Sequence, residues 1–258
     1  MSDRKSGRVQ SVSRALAILS RLGEFDDGLT LSQLSKDLKL APSTAHRLLT
    51  TLQEERFVHF NDTKGFWQVG VQAFVVGSHF LGSRDLVTVA LPYMEQLMEQ
   101  SGETTNLAMA DRGEIVYLAQ VQCHQLMRTL ARPGARVAMH CSAVGKALLS
   151  QMSENDVARV LRNRGLPRVT DQTITSMDEL CMQLRTARQR GYAMDDEEHS
   201  IGLRCIAAPV FDERGTALAA VSLSGPKVRL PEARVEELAT LLVETGRQIT
   251  QAYGGIIH

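Results

Sequence analysis

The chain has 258 residues, of which 43% are hydrophobic and 22% charged, so it can form one large or two ordinary domains with buried cores. No apolar stretch resembles a signal peptide or a membrane span, and we therefore expect a cytoplasmic protein with no membrane partner. The four cysteines are scattered without Cys-x-x-Cys pairs, which argues against a disulfide framework or a zinc site, and the formal net charge of zero neither favours nor excludes nucleic acid.

The first predicted unit is a helix followed by a helix-turn-helix. Apolar residues between positions 12 and 22 recur at helical spacing. Thr30 and Gln33 have the spacing of a capping box, which predicts the start of a second helix. Pro42 fits the first position of a third helix. Residues 31–52 therefore predict the motif whose second helix enters the major groove of DNA.

The third helix has one apolar and one polar face. Ala45, Leu48, Leu49 and Leu52 form the apolar stripe. The opposite face carries hydroxyl, guanidinium and imidazole groups, which can contact bases and phosphates. The candidate DNA-contacting residues of this face are Ser43, Thr44, His46, Arg47 and Thr50. A helical hairpin with a merely solvated polar face has the same pattern, so the flanking elements decide between the two.

A hairpin is predicted directly after this motif. Residues 57–60 and 66–69 are short aromatic and β-branched runs, and the turn between them contains Gly65. Lys64 near the tip is suited to contact the DNA backbone. A helix, a helix-turn-helix and a hairpin in this order predict a winged helix-turn-helix over residues 8–70, with a double-stranded DNA operator as partner.

Residues 71–84 predict a linker helix, and residues 85–258 predict a second domain. A helix over 86–101 contains Pro92, which we expect to kink or restart it. Beyond it, strands and helices mix without strict alternation, which predicts an α+β fold with a mostly antiparallel sheet. The predicted strands are 105–110, 114–120, 125–130, 136–139, 192–195, 204–212 and 216–224. The predicted helices are 142–151, one between 153 and 165, one opened by a capping box at 176–179, and 231–253.

Three features of the second domain suggest a small anionic ligand, although each can also be purely structural. Ser222 and Ser224 project from one face of a strand and need hydrogen-bond partners if buried. The helix beginning at 142–145 offers free backbone N–H groups, which can bind a carboxylate. Asp195 and Cys205 flank a turn, and Asp195 beside a carboxylate must either be protonated or accept a hydrogen bond from a ligand hydroxyl.

Other chemistries fit the sequence less well. His140 and Ala147 stand where a phosphate-binding loop needs glycine and a hydroxyl residue. Cys205, His199 and Asp195 would suit a thiol hydrolase, but no oxyanion-hole glycine motif accompanies them. The adjacent Cys–His pairs at 123–124 and 140–141 are more typical of packing than of metal ligation. We therefore expect no catalytic residues, no metal and no cofactor.

Seven ordered blocks of the chain resemble the IclR family of bacterial transcriptional regulators. They are 9–15, 43–49, 102–106, 145–149, 196–199, 202–207 and 222–226. The resemblance is greatest to the glyoxylate-responsive repressors of the family. It implies a winged helix-turn-helix, a helical linker and a C-terminal GAF-like effector-binding domain with an antiparallel sheet, assembled as a homodimer or homotetramer.

The resemblance also implies an effector site. Polar contacts to the ligand are expected from the backbone N–H groups of Ala143 and Val144 and from the side chains of Asp195, Cys205, Ser222 and Ser224. The expected walls are Thr129, Val137 and Leu203. The glyoxylate-responsive relatives have Gly-Ala at 143–144 and an apolar residue at 129, so glyoxylate and pyruvate both stay candidate effectors.

The sequence therefore predicts a repressor of a small-carboxylate catabolic operon, controlled by a small oxo- or hydroxy-acid. The ligand is expected to change the spacing of two DNA-reading helices through residues 71–100. Two alternatives stay open: a DNA-binding regulator whose second domain only oligomerises, and a hydrolase that uses Cys205.

Overall fold

The computed structural model describes residues 9–83, 86–126, 131–162 and 164–257, with only the backbone of 78–83. The chain divides into two compact units at Arg84 and Asp85. None of the helices in the described ranges is long and apolar enough to cross a membrane.

The first unit is a winged helix-turn-helix, as predicted. Its elements are α1 (Gln10–Leu22), α2 (Leu31–Asp37), α3 (Pro42–Glu54), β1 (Val58–Asn61), β2 (Phe66–Val69) and α4 (Val71–Ser83). The predicted capping box is confirmed: the Thr30 hydroxyl accepts the Gln33 N–H, and the Gln33 side chain accepts the Thr30 N–H. The antiparallel hairpin β1–β2 forms the wing.

A single core holds the helices and the wing of this unit together. Ile18 of α1, Leu34 of α2, Leu49 of α3 and Trp67 of β2 are all buried in it. The strand segment before α2 joins the wing directly, because Leu29 and Trp67 exchange backbone hydrogen bonds of 3.0 and 2.8 Å. The apolar face of α3 is thus fixed inward, and its polar face points outward.

The second unit has the predicted α+β fold around one antiparallel sheet. Its elements are α5 (Leu86–Ser101), β3 (Thr104–Asp111), β4 (Glu114–Val121), β5 (Arg136–Ala138), α6 (Ala143–Leu149), α7 (Glu154–Leu161), α8 (Met177–Arg190), β6 (Ala193–Asp196), β7 (Leu203–Phe211), β8 (Ala217–Pro226) and α9 (Glu232–Ala252). The six strands are ordered β5-β4-β3-β8-β7-β6, with every neighbouring pair antiparallel. Helices cover both faces of this sheet.

The two faces of the sheet have different residues. Large apolar residues of β3, β7 and β8 pack against α5 and α9 on one face. The other face is lined under α6 by the buried alanines Ala108, Ala193, Ala207 and Ala220. Small side chains there let α6 lie close to the sheet. Gly145 permits a second close approach, since a Cβ at this position would lie 2.1 Å from the Met139 carbonyl oxygen.

Three local predictions were wrong or only partly testable. Pro92 lies inside α5, so the predicted restart does not occur, since the buried neighbours Ala90 and Met94 hold the helix against the core. The other predicted outcome, a kink at Pro92, stays a prediction. Ser176 is the N-cap of α8 but its hydroxyl makes no cap hydrogen bond; instead acidic residues 178 and 179 lie in the first turn, where they complement the helix dipole. Of the predicted strand 125–130, residues 125–126 are not extended strand, and 127–130 lie outside the described residues.

Candidate functional site

The predicted DNA-contacting residues of α3 share its outward face. Ser43, His46 and Arg47 are exposed, whereas Thr44 and Thr50 are half-buried. The Thr50 hydroxyl donates to the His46 carbonyl at 3.0 Å, so only its oxygen lone pairs remain for DNA. These residues present one guanidinium, one imidazole and several hydroxyls on a single helical face.

Lys64 lies in the turn of the wing. Its backbone N–H donates to the Asn61 side chain at 3.1 Å, which fixes the turn, and the residue is exposed. Gly65 follows with φ of +70°, a conformation that favours glycine. The wing therefore presents a lysine on a well-defined hairpin turn.

A cavity of about 240 Å³ lies between the start of α6 and the sheet. On the sheet face that carries the buried alanines under α6, the residues at this position are polar instead. Asp195 pairs with Cys205 across β6 and β7, and Cys205 pairs with Ser224 across β7 and β8. Ser222 lies two residues from Ser224 and faces the same way. Four side chains predicted to bind the effector thus line one wall.

The other walls contain the remaining predicted residues of the described chain. Ala143 and Val144 form the first turn of α6, whose N-cap Ser142 accepts the Gly145 N–H and donates to the Ala138 carbonyl. Val137 and Leu203 also line the cavity. Thr129, the third predicted wall residue, lies outside the described residues.

Sequence reasoning missed several residues of this cavity. Asn106 of β3 pairs with Ser222, and its amide donates to Ser224 at 3.1 Å and to Ser222 at 3.4 Å. Gln120 in turn donates to the Asn106 oxygen at 2.8 Å, which fixes the amide orientation. The other additions are Tyr117, Ala131, Ala135, Ser142 and His199. A polar residue inside the apolar strand 104–110 was the signal available for Asn106.

Asp195 is the buried acid of the cavity. Its Oδ1 accepts the backbone N–H groups of Glu198 and His199 at 2.8 and 3.3 Å. Burial, followed by the nearby Glu198 carboxylate, raises the pKa of Asp195 to about 7, against the opposing effect of Lys146. Near neutral pH this group can therefore be either a hydrogen-bond acceptor or a neutral donor.

Lys146 of α6 carries a buried ammonium group, and this group is already in an ion pair. Lys146 forms an ion pair with Glu198 and donates to the Gln183 side chain at 2.9 Å. Both members of the pair are buried, with 1% and 4% of their surfaces exposed. Burial raises the pKa of Glu198, and Lys146 opposes that shift. The pair joins α6 to the turn after β6, which are two sides of the cavity.

The remaining titratable groups around Asp195 are neutral near pH 7. Burial raises the pKa of the Cys141 thiol to about 12 and those of Cys205 and Tyr117 well above their usual values. Burial lowers the pKa of His199, whose Nδ1 has no hydrogen-bond partner among the described residues. A nucleophilic cysteine needs a lowered pKa, so the environment of Cys205 is the opposite of that in a thiol hydrolase.

No group of three or more metal-ligating side chains occurs in the described ranges. What the chain presents is a winged helix-turn-helix with a polar helical face, followed by a unit with a polar cavity. This organisation is typical of DNA-binding transcriptional regulators.

Comparison with known families makes the assignment specific. Residues 11–62 match the IclR helix-turn-helix domain, and residues 78–251 match the bacterial transcriptional regulator IclR C-terminal domain. The chain belongs to the IclR family of bacterial transcriptional regulators. Since members of this family are regulators rather than enzymes, the hydrolase alternative is rejected.

Relatives are similar over nearly the whole chain. The acetate operon repressor of Salmonella typhimurium is 44% identical over 252 residues, covering 97% of this chain and 92% of the relative. The repressor AllR of Escherichia coli is 38% identical over 249 residues, covering 96% and 92%. A crystal structure of an IclR homolog from Microbacterium hydrocarbonoxydans, complexed with 4-hydroxybenzoate, has a TM-score of 0.81 at 27% identity and covers 93% of this chain and 98% of that one.

Proposed function

We propose that this protein is a cytoplasmic, homo-oligomeric repressor of a small-carboxylate catabolic operon, controlled by a small oxo- or hydroxy-acid such as glyoxylate or pyruvate. Residues 8–70 bind the operator, 71–84 link the domains and 85–258 bind the effector. The carrying observation is the cavity, where Asp195, Cys205, Ser222 and Ser224 meet beside the start of α6. In support, one relative is named an acetate operon repressor, and an IclR homolog of known structure is complexed with another carboxylate, 4-hydroxybenzoate.

The chemistry of the cavity suits a small carboxylate. The hydroxyls of Ser222 and Ser224 accept from the Asn106 amide, so their O–H groups can donate to a ligand, as can the first turn of α6. Val137 and Leu203 supply apolar walls. In the proposed mechanism, the acid binds one arrangement of the oligomer more tightly than another and thereby changes the spacing of the two α3 helices on DNA. Differential affinity for the two arrangements is the only thermodynamic requirement.

The effector half of the proposal is tested with Ser222→Ala plus Ser224→Ala. After selection of an operator from random DNA by the full-length protein, fluorescence anisotropy measures operator affinity with and without glyoxylate or pyruvate. Loss of two hydrogen bonds to a charged ligand, about 1.5–3 kcal/mol each, should weaken the acid response more than tenfold and leave operator binding in its absence unchanged. Thr186→Ala plus Thr240→Ala removes two exposed hydroxyls elsewhere and should leave the response intact.

The same assay separates the remaining alternative. If the second domain only oligomerises, neither acid alters operator affinity and the serine variant behaves as wild type.

The DNA-binding half of the proposal is tested with Arg47→Ala. This variant should weaken operator binding about 10- to 100-fold, as expected for a side chain that contacts a base, and leave acid binding intact. Arg188→Ala removes an exposed arginine from the other unit and should have no comparable effect. Full operator affinity in Arg47→Ala would reject α3 as the reading helix.

A further inference from the structure

The charges around the cavity do not balance a bound carboxylate. Among the described residues that line it there is no lysine or arginine. The lining residues with ionisable groups near neutral pH are Asp195 and His199, and burial keeps His199 neutral. Among these described lining residues, an anionic ligand would therefore meet an acid and no cation.

Lys146 does not correct this imbalance. Its ammonium is held between Glu198 and Gln183, so its charge is already opposed by a buried carboxylate. Removing it from Glu198 would leave that carboxylate unpaired, which costs several kcal/mol. The sum of the buried charges on Lys146, Glu198 and an ionised Asp195 is negative before any ligand arrives.

We propose that the effector carboxylate binds together with one proton, which Asp195 holds as a neutral carboxylic acid that donates to the ligand. The inference rests on the proposed function, because it assumes that a small carboxylate occupies this cavity. Oδ1 of Asp195 continues to accept from the two backbone N–H groups, and Oδ2 carries the proton. Oδ2 accepts no hydrogen bond from the described residues, so it is available to the ligand. The proton comes from solvent, and no other bond forms or breaks.

Two carboxylates at hydrogen-bonding distance without a cation cannot both be ionised, and such pairs share one proton. The groups facing Asp195 support this form of the complex. The thiols of Cys205 on β7 and Cys141 before α6, and the phenol of Tyr117 on β4, are neutral near pH 7 because burial raises their pKa values. The other charged or titratable neighbours are Glu198, His199 and Lys146. The charges of Lys146 and Glu198 neutralise each other in their ion pair. With the pKa of Asp195 at about 7, the proton is bound at little cost under neutral conditions.

The alternative is an ionised Asp195 that accepts a hydrogen bond from a hydroxyl of the ligand. The two forms have opposite pH dependence. If the acid is neutral, affinity falls about tenfold per pH unit above pH 7, whereas an ionised acceptor would give affinity that rises with pH. Pyruvate, as a ketone with no hydroxyl, can bind only to the neutral form by this contact.

Isothermal titration calorimetry of the full-length protein tests the inference. Pyruvate and glyoxylate are titrated at pH 6 and pH 8, each in two buffers with different ionisation enthalpies, so that the buffer dependence of the heat counts protons. We expect about tenfold weaker binding at pH 8 than at pH 6. Each ligand bound should take up close to one proton at pH 8 and close to none at pH 6. Asp195→Asn replaces the O–H donor by an amide N–H donor and should bind the acids equally at both pH values, without proton uptake.

His199→Gln is the matched control, because it removes the other described lining residue whose side chain ordinarily titrates near neutral pH, and it should keep the tenfold pH dependence. Operator binding without acid checks that each variant is folded, and the two-buffer measurement on wild type stands without any variant. Three results would each overturn the inference while leaving the proposed function intact. The first is binding without proton uptake, and the second is affinity that rises with pH. The third is a pH dependence that is lost in His199→Gln and kept in Asp195→Asn. If neither acid binds at either pH, the proposed ligand class fails and the inference fails with it.

Discussion

Removal of the buried Lys146 ammonium should destabilise the effector-binding unit strongly and in a pH-dependent way. In Lys146→Met the methionine fills a similar volume, but the Glu198 carboxylate loses its ion pair while 4% exposed. An unpaired buried charge costs about 3–5 kcal/mol. For a unit of this size, that corresponds to a fall in melting temperature of about 6–20 °C.

The pH dependence follows from the proton that Glu198 can take up. Its pKa is already raised by burial, and loss of Lys146 removes the main effect that opposes the shift. The folded state then binds more protons than the unfolded state, so stability falls as pH rises from the unfolded pKa to the folded one. Thermal melts monitored by circular dichroism at pH 5 and pH 8 should therefore show a larger loss at pH 8.

Two variants control this experiment. Lys146→Met plus Glu198→Gln removes both charges. It should restore most of the lost stability and abolish the pH dependence of the loss. Arg185→Met breaks the exposed pair with Glu154 and should leave the melting temperature nearly unchanged. A melting temperature for Lys146→Met within a few degrees of wild type at pH 8, or an equal loss at both pH values, would refute the reasoning.

Two further substitutions test the packing on which each unit depends. Gly145→Ala brings a Cβ to 2.1 Å from the Met139 carbonyl oxygen, so α6 must move. Calorimetry should then show weaker acid binding, and thermal melts should show a lower transition temperature. Gly77→Ala is the control, since no atom lies within 4 Å of its added Cβ, and it should change neither property. Trp67→Ala removes a buried indole from the core of the first unit and should cost about 3–5 kcal/mol there. Operator binding should fail at a lower temperature in Trp67→Ala while acid binding persists; equal thermal sensitivity of the two would contradict independent cores.

Local sequence patterns predicted most of the fold. The capping box at Thr30 and Gln33 and the wing needed only residues a few positions apart, and both are confirmed. The juxtaposition of Asp195 and Cys205 was also accessible, because one short hairpin brings them together. Where a local signal failed, as at Ser176, the backbone is suitable for a cap but the side chain does not make the bond.

The rest of the cavity depends on contacts between distant parts of the chain. Asn106 meets Ser222 and Ser224 only through the register of β3 against β8, across more than a hundred intervening residues. The ion pair of Lys146 and Glu198 likewise joins a helix to a turn that follows three further elements. Periodicity identifies which face of a strand is buried, but it does not determine which strand lies beside it.

The acid in the cavity is maintained at a cost to the fold. With a folded pKa of about 7 against an ordinary value of 3.8, Asp195 lowers stability by about 4 kcal/mol once pH exceeds both values, because the folded state must give up a proton that it holds more tightly than the unfolded chain does. Lys146 limits this cost, and it reaches Asp195 from the helix that forms another wall of the cavity. A carboxylate that binds together with a proton leaves Asp195 neutral, so the charge of the ligand replaces that of an ionised Asp195 instead of adding to it. The raised pKa keeps the cost of this protonation small near pH 7, which gives a cavity with no cation among its described lining residues a physical means of holding an anion.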